Sequence, residues 1–270
     1  MTLKEATAYL YDAGIESADY DARELFRRFG GFDKSEPIMA NSESSEKDLI
    51  DAIERRRSRE PLQYIIGSTG FYREEYEVTL DCLIPRYDTE ILVDYAVKSI
   101  PNGENIADVC CGSGCIGISV LKNSRVSSCV SYDISSGAIE LTRRNAEKNG
   151  VSDRLLTVND DVLRQGFALD GKYYAILSNP PYIPASVYEG LDAEIFHEPR
   201  IAFVGGDDGE LFYRRLTPIF LDSLKDGGFI AFEIGFDQAH LMYEIAQLYG
   251  CSCEIIKDYS QNDRVAVLKK

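Results

Sequence analysis

Basic residues are in short supply: 29 Lys and Arg stand against 45 Asp and Glu, a formal net charge of −16 at pH 7. So acidic a surface repels phosphate backbones unless a local basic patch overrides it. The one compact patch, Arg55-Arg56-Arg57 with Arg59, reads as the solvated last turn of a helix, where cations suit the dipole. Nucleic acid is therefore disfavoured as a partner. Histidine is scarcer still, with only His197 and His240. Cys110, Cys111 and Cys115 crowd together and Cys251 and Cys253 form a C-x-C, but C-x-x-C spacing is lacking. No metal site is expected, and packing is the better reading of these thiols. No apolar run approaches the ~18 residues of a membrane span, so no membrane contact is expected. The opening Met1-Thr2-Leu3-Lys4-Glu5 lacks both a secretory apolar core and the acid-poor character of a transit peptide. Seven cysteines without an export signal point to free thiols in a reducing cytoplasm. Internal repeats and low-complexity tracts are also missing. What remains is ordinary for a globular protein: 270 residues, 44% hydrophobic and 27% charged, suit one large domain or two smaller ones.

Up to about residue 60 the pattern is helical. Thr2-Leu3-Lys4-Glu5 fits a capping box, with Ala6, Tyr9 and Leu10 on one face and Gly14 as a stop. Ser17 or Asp19 caps a second helix bearing Ala22, Leu25, Phe26 and Phe29, closed by Gly30-Gly31. Ser44 or Ser45 caps a third, with Leu49, Ile50 and Ile53 inward. Helices this short need one another, so a small bundle is predicted over residues 1–62. Pro61 ends it, and Gln63–Gly67 with Phe71–Leu80 read as extended segments about a turn near Ser68-Thr69-Gly70. This predicts a linking β-hairpin over residues 63–85, followed by a third region over residues 86–270.

In that region Asp88-Thr89-Glu90 opens an amphipathic helix. Strand–helix alternation then begins near residue 104, with strands at Ile106–Cys110, Val126–Tyr132, Leu155–Val158, Tyr173–Leu177 and Phe229–Ile234. Helices are predicted from Cys115, over Ser136–Asn149, over Leu211–Leu224 and over Gln238–Tyr249, and Cys253–Ile256 with Val265–Leu268 forms a closing pair. Such a pattern means an α/β fold: a doubly wound, mainly parallel seven-stranded sheet with helices on both faces.

Ligands of such sheets sit at the carboxyl ends of the strands, near the point where strand order reverses. The first strand runs into Cys110-Cys111-Gly112-Ser113-Gly114, whose glycines allow a tight turn and close backbone approach, although the full G-x-G-x-x-G is missing. The second ends at Asp133, 25 residues after Asp108, placed to accept two hydrogen bonds from a ribose diol. Asp160 and Asp161 end the third, where an adenine amino group can donate. Each acid alone reads as a solvated loop charge; their order at successive strand ends is more specific. The fourth strand ends at Asn179-Pro180-Pro181-Tyr182. Two prolines stop the ladder and stiffen the backbone, Asn179 offers an acceptor and a donor, and Tyr182 supplies a flat face. On its own this is a Pro-rich turn as readily as a socket for a planar group bearing an NH2.

Together, the glycine turn, the two acid positions and N-P-P-Y resemble the class I S-adenosylmethionine-dependent methyltransferases that act on planar nitrogens, a Rossmann-like fold. Glu60-Pro61-Leu62-Gln63-Tyr64-Ile65-Ile66-Gly67, Leu83-Ile84-Pro85-Arg86-Tyr87-Asp88-Thr89-Glu90, and His197-Glu198-Pro199-Arg200-Ile201-Ala202 with Gly205-Gly206-Asp207-Asp208-Gly209 narrow the resemblance. So does Asp258-Tyr259 through Asp263-Arg264. These are similar to signatures of the peptide-chain release factor N5-glutamine methyltransferases. The resemblance implies transfer of a methyl group from S-adenosyl-L-methionine, leaving S-adenosyl-L-homocysteine. The acceptor implied is the glutamine of the GGQ motif of release factors 1 and 2, methylated on its side-chain nitrogen, with translation termination modulated. It implies cofactor contacts at Cys110, Cys111, Gly112, Ser113, Gly114, Asp133, Ile134, Asp160, Asp161 and Asn179. Substrate contacts are implied at Asn179, Pro180, Pro181 and Tyr182, with Asn179, Pro180 and Tyr182 catalytic. The bundle and hairpin would position the release factor, and a cytoplasmic monomer is expected. Four positions depart from the family pattern: Cys110 for glycine, Tyr87 for proline, His197 for phenylalanine, and Asp161 where an aromatic is common.

A glutamine side-chain nitrogen is a poor nucleophile because its lone pair is delocalised. If Asn179 Oδ1 and the Pro180 carbonyl accept its two N–H bonds, its π density is aimed at the methyl group and developing positive charge is stabilised. Tyr182 would flank the amide plane. Tyr64, Phe71 and Arg86 read as packing or pinning residues rather than substrate contacts. The rival readings are an adenine-N6 methyltransferase, which the charge disfavours, a fold that binds cofactor without chemistry, and a Rossmann oxidoreductase, which leaves N-P-P-Y without a task.

Overall fold

The computed structural model describes residues 1–30 and 46–270. Ser44 and Ser45, expected as caps, lie outside the described residues, as does Gly31. The chain divides into two compact units, Met1–Ser68 with Asp192–His197, and Thr69–Leu191 with Glu198–Lys270.

The first unit is helical: α1 (Leu3–Asp12), α2 (Ala18–Phe29), α3 (Glu46–Arg57) and α4 (Leu62–Ile66). The capping box forms as read, with Thr2 Oγ1 accepting from Glu5 N at 3.2 Å and Glu5 Oε2 accepting from Thr2 N at 2.8 Å. Ala6, Leu10, Ala22, Leu25, Phe26, Leu49 and Ile53 share one core. Ile50 is not part of it and is 41% exposed. The buried stripe of α3 runs Leu49, Ala52, Ile53, Arg56, and Ile50 lies about 100° round the helix from Leu49. The same spacing corrects the reading of the arginines as solvated for Arg56, while Arg57 is exposed as read. Arg56 is buried, its Nε donating to Asp21 Oδ2 at 2.6 Å, Nη1 to the Glu60 carbonyl at 3.1 Å and Nη2 to Glu194 Oε1 at 2.9 Å. Arg55 pairs with Glu60, and Arg57 stacks 4.5 Å over the Tyr9 ring. Residues 62–66 are helical rather than extended, because Leu62, Ile65 and Ile66 follow helical spacing onto the bundle core. Gly67, at φ +83°, ends that turn.

A hairpin follows, shifted from its expected place: β1 (Ser68–Phe71) pairs with β2 (Glu74–Glu77). The turn falls at Tyr72-Arg73, where Tyr72 N donates to Glu90 Oε1 at 2.7 Å and Tyr72 Oη to Asp94 Oδ1 at 2.9 Å. Then come α5 (Glu90–Ser99), β3 (Asn105–Val109), α6 (Cys115–Asn123), β4 (Ser128–Asp133), α7 (Ser136–Lys148), β5 (Leu155–Asn159) and β6 (Tyr173–Ser178). The chain continues through α8 (Ala185–Tyr188), α9 (Leu211–Ser223), β7 (Leu224–Glu233), α10 (Ala239–Tyr249), β8 (Ser252–Lys257) and β9 (Asp263–Lys269).

The seven strands lie in the order β5-β4-β3-β6-β7-β9-β8. The first five are parallel, and β9 runs antiparallel to both β7 and β8. One apolar layer joins the sheet to α5 and α6 through Leu92, Ile116 and Val120; the other joins it to α9 and α10 through Phe220, Met242 and Ile245. From β3 the chain winds outward to β5, then returns to place β6 on the other side of β3. That reversal sets Val109 beside Ser178, whose Oγ donates to the Val109 carbonyl at 2.6 Å. The glycine turn and the N-P-P-Y corner thus leave adjacent strands at the same edge.

Candidate functional site

Where these strand ends splay apart lies a cavity of about 300 Å³. After β3 the backbone is left-handed at Cys110 (φ +62°), Gly112 (φ +54°) and Gly114 (φ +78°). For a residue with a Cβ this costs roughly 1–2 kcal/mol, so Cys110 carries strain that a glycine would not. The turn is pinned from α7, where Thr142 Oγ1 donates to the Gly112 carbonyl and Asn145 Nδ2 to the Ser113 carbonyl, both at 2.9 Å. Cys110, Cys111, Gly112 and Ser113 line the cavity. Gly114 does not; it stands behind them, where a Cβ would meet Thr142 Cγ2 at 2.8 Å.

Asp133 and Ile134, after β4, also line the cavity. Asp133 Oδ2 accepts from Gly112 N and Oδ1 from Ser135 N, both at 2.9 Å. Burial pushes this carboxyl upward, against the opposing pull of those two N–H groups. The acids after β5 part company. Asp161 accepts from Leu163 N at 2.8 Å and lines the cavity. Asp160 does not line it: its oxygens take Arg164 Nε at 2.6 Å and Nη2 at 2.8 Å, and that guanidinium holds its carboxyl below the usual range. The pair was expected to act together; adjacent residues leaving a strand point to opposite sides, so one turns in and one out.

The same alternation divides the N-P-P-Y corner. Asn179 and Pro181 line the cavity, whereas Pro180 and Tyr182 do not. Tyr182, expected as an aromatic wall, sends its hydroxyl to Glu233 Oε1 at 3.4 Å. The Gly205–Gly209 segment lies directly on this corner. Ile183 N donates to the Phe203 carbonyl at 2.8 Å and Gly205 N to the Ile183 carbonyl at 3.0 Å. A Cβ on Gly205 would fall 2.4 Å from the Pro181 carbonyl oxygen, and one on Gly209 2.3 Å from that of Tyr182.

Several lining residues were not foreseen. Arg86, read as a packing residue, lines the cavity together with Thr89, Cys82, Leu163 and Phe212. Buried Glu198 binds Arg86 and accepts from Ile84 N at 2.9 Å, which joins the Ile84–Arg86 and Glu198–Arg200 signatures. Arg264 Nη2 reaches Asp258 Oδ2 at 3.1 Å and Asp88 Oδ2 at 3.2 Å, joining the Asp258–Arg264 signature to the Leu83–Glu90 one. Glu233 ends β7 and is 2% exposed. It accepts from Thr89 Oγ1 at 2.5 Å, and burial pushes its carboxyl up to about 7. Asp108, fully buried in β3, is pushed up to about 7 by the same cause. Burial likewise raises the thiols of Cys82, Cys110, Cys111 and Cys115. Among the described residues no group of His, Cys, Asp or Glu is arranged to hold a metal ion, and no helix is long and apolar enough to cross a membrane.

Two family models match the chain, the PrmC N-terminal domain over residues 2–67 and the methyltransferase small domain over residues 87–203. A release factor glutamine methyltransferase from Caulobacter vibrioides is 35% identical, over 96% of this chain and 91% of the relative. One of the same name from Clostridium botulinum is 35% identical over 99% and 98%. The chain belongs to the release factor glutamine methyltransferase family. Solved structures agree in fold alone. A methyltransferase from Pyrococcus furiosus superposes with a TM-score of 0.52 at 22% identity, covering 72% of this chain and 86% of that one. The ribosomal protein L11 methylase of Lactobacillus delbrueckii subsp. bulgaricus gives 0.50 at 18%, covering 69% and 80%.

Membership makes the chain an S-adenosylmethionine-dependent methyltransferase, and the cavity suits that cofactor. Each Asp133 oxygen accepts one backbone N–H and keeps a lone pair, so the pair can receive a ribose diol. The left-handed turn lets a ligand approach the backbone of Gly112, where even an added Cβ would have Cys82 Cβ no nearer than 3.5 Å.

Proposed function

We propose that this protein methylates the side-chain nitrogen of the glutamine in the Gly-Gly-Gln motif of peptide-chain release factors 1 and 2, and so modulates translation termination. The observation that carries the reading is that Asn179 shares one cavity with Cys110–Ser113 and Asp133. In this reading Cys110, Cys111, Gly112, Ser113 and Ile134 shape the cofactor seat, Gly114 supports it from behind, and Asp133 takes the ribose. Asp161 lies on the adenine side. Asp160 serves indirectly, through its ion pair with Arg164.

Bound S-adenosylmethionine supplies an electrophilic methyl group. Asn179 Oδ1 at the cavity wall accepts one N–H of the glutamine amide, and the Pro180 carbonyl, although Pro180 does not itself line the cavity, accepts the other, which turns its π density toward that methyl. Their dipoles stabilise the positive charge that develops on nitrogen. Pro181 keeps the corner stiff and closes one wall. Tyr182 has the part of fixing the loop, its hydroxyl on Glu233. No base is required of this corner, because the nitrogen loses its proton after transfer. The helical unit, Met1–Ser68 with Asp192–His197, is assigned to recognition of the release factor. The protein acts as a cytoplasmic monomer without nucleic acid or membrane partners.

The test is intact-mass analysis of purified release factors 1 and 2 after incubation with the protein and S-adenosylmethionine, alongside a release factor whose motif glutamine is alanine. One added methyl, absent from the alanine variant, is the expected result. Cofactor binding without any gain in mass on either factor overturns the substrate, and single-stranded nucleic acid bearing adenine becomes the next acceptor to try.

A further inference from the structure

Asn179 can serve as an acceptor only if its amide is turned the right way, and rotating that amide by half a turn presents NH2 where oxygen is needed. The strand end does not decide between the two orientations. A chain of two hydrogen bonds does, the first part-buried and the second buried: Asn179 Nδ2 lies 3.3 Å from Thr89 Oγ1, and Thr89 Oγ1 lies 2.5 Å from Glu233 Oε2. Thr89 and Glu233 are each 2% exposed, so water is largely kept from taking either partner's place.

The proton count fixes the direction. Above pH 7 Glu233 is mainly the carboxylate, which can only accept, so there the single hydroxyl proton of Thr89 goes to Glu233. Thr89 Oγ1 then has lone pairs alone to offer Asn179, and the group that satisfies them is the NH2. With the amide reversed, two acceptors would face each other across 3.3 Å with no proton between them. In a buried setting that mismatch is costly. Tyr182 Oη, 3.4 Å from Glu233 Oε1, ties the far side of the same corner to the same carboxylate. Asn179, Glu233 and Thr89 come together because β7 lies beside β6 in the sheet, with Phe232 opposite Ser178, while Thr89 closes the turn before α5.

We infer that Thr89 and Glu233 are positioning residues for methyl transfer, setting the Asn179 amide with its oxygen toward the cavity. This rests on the function proposed above, in which Asn179 Oδ1 accepts from the glutamine amide. Neither residue need touch the glutamine. Their effect runs through Asn179, so it belongs to turnover rather than to cofactor affinity.

The experiment compares Thr89→Val, which keeps shape and loses the hydroxyl, with Thr89→Ser, which keeps the hydroxyl. Steady-state kinetics on a release factor are measured beside S-adenosylmethionine affinity by calorimetry. Thr89→Val should lower kcat at least about tenfold, with cofactor Kd within twofold of the parent, and Thr89→Ser should stay within threefold on both. A Thr89→Val kcat within twofold of the parent overturns the inference. A fall in cofactor affinity matching the fall in kcat also overturns it, since that is what general loosening would do. Should Thr89→Val fail to fold, Thr89→Ala, which only removes atoms, is read by the same criteria.

The parent enzyme separates the two failures. If it leaves release factors unmethylated, the proposed function falls, and the orientation is read by NMR of the Asn179 side-chain amide. One of its two protons should be shifted and slow to exchange in the parent and lose both properties in Thr89→Val. An unchanged pair of resonances overturns the orientation itself.

Discussion

Replacing Gly205 by alanine puts one methyl group against the backbone of the N-P-P-Y corner. The new Cβ would lie 2.4 Å from the Pro181 carbonyl oxygen, 2.8 Å from Tyr182 Cα and 3.0 Å from the Pro181 carbonyl carbon. Carbon and oxygen in contact sit nearer ~3.3 Å, so the corner must retreat by roughly 1 Å. It is not free to do so, because Ile183 N and Gly205 N are both committed to cross-segment hydrogen bonds, at 2.8 and 3.0 Å. Overpacking of this kind costs about 1–3 kcal/mol. In a chain of this length that lowers Tm by roughly 2–10 °C. The effect on turnover should be larger than on stability, since a displacement of ~1 Å at a reacting centre costs on the order of a hundredfold. Cofactor affinity should hold within about threefold, as the Cys110–Ser113 turn and Asp133 are untouched. The assay is single-turnover methylation of a release factor at saturating cofactor, with calorimetric Kd measured in parallel. Gly70→Ala, with nothing within 4 Å of its added Cβ, is the control. A Gly205→Ala rate within threefold of the parent would refute the reasoning, because it would mean that the position of this corner does not govern transfer.

Two further expectations concern stability. Asp21→Ala leaves the buried Arg56 guanidinium without the carboxylate at 2.6 Å. It should cost the helical unit about 3–5 kcal/mol, seen as faster hydrogen exchange across α1–α3; unchanged exchange there would contradict a buried ion pair. Asp108 and Glu233, both pushed up to about 7 by burial, bind their protons more tightly folded than unfolded. Their contribution is full below pH ~4 and is lost as pH rises through ~7, at most about 4 kcal/mol each. Denaturant titrations should therefore give falling stability from pH 5 to 8, and Asp108→Asn should flatten that slope; equal slopes in both proteins would count against it.

Strand ends were legible because apolar runs stop abruptly at Asp133, at Asp160-Asp161 and at Asn179-Pro180, and each marks the rim of the sheet. Strand order was legible only as a class, yet it is what brings Cys110 and Asn179 together. Glu233 was not legible. A glutamate closing the run Phe229–Phe232 reads as a solvated charge, and its hydroxyl partner Thr89 is 144 positions away. Glu198, 114 positions from Ile84, is the same case. Arg56 could have been found, since Leu49, Ala52, Ile53 and Arg56 keep helical spacing; the crowd of neighbouring arginines hid it. The face of the N-P-P-Y corner that Tyr182 presents depends on which residue turns inward first, and two prolines leave that open.

The six residues Asp192–His197 belong with the helical unit although the chain on either side of them belongs with the other. The polypeptide therefore passes from one unit to the other three times, not once. A gene fragment ending at residue 68 would encode the helices but not Glu194, one of the carboxylates that Arg56 holds. Such a unit cannot be traded between proteins as a single contiguous cassette. Recombination that respects it must carry a short insert from the middle of the catalytic region as well, so the two parts of this chain are expected to have diverged together rather than by exchange.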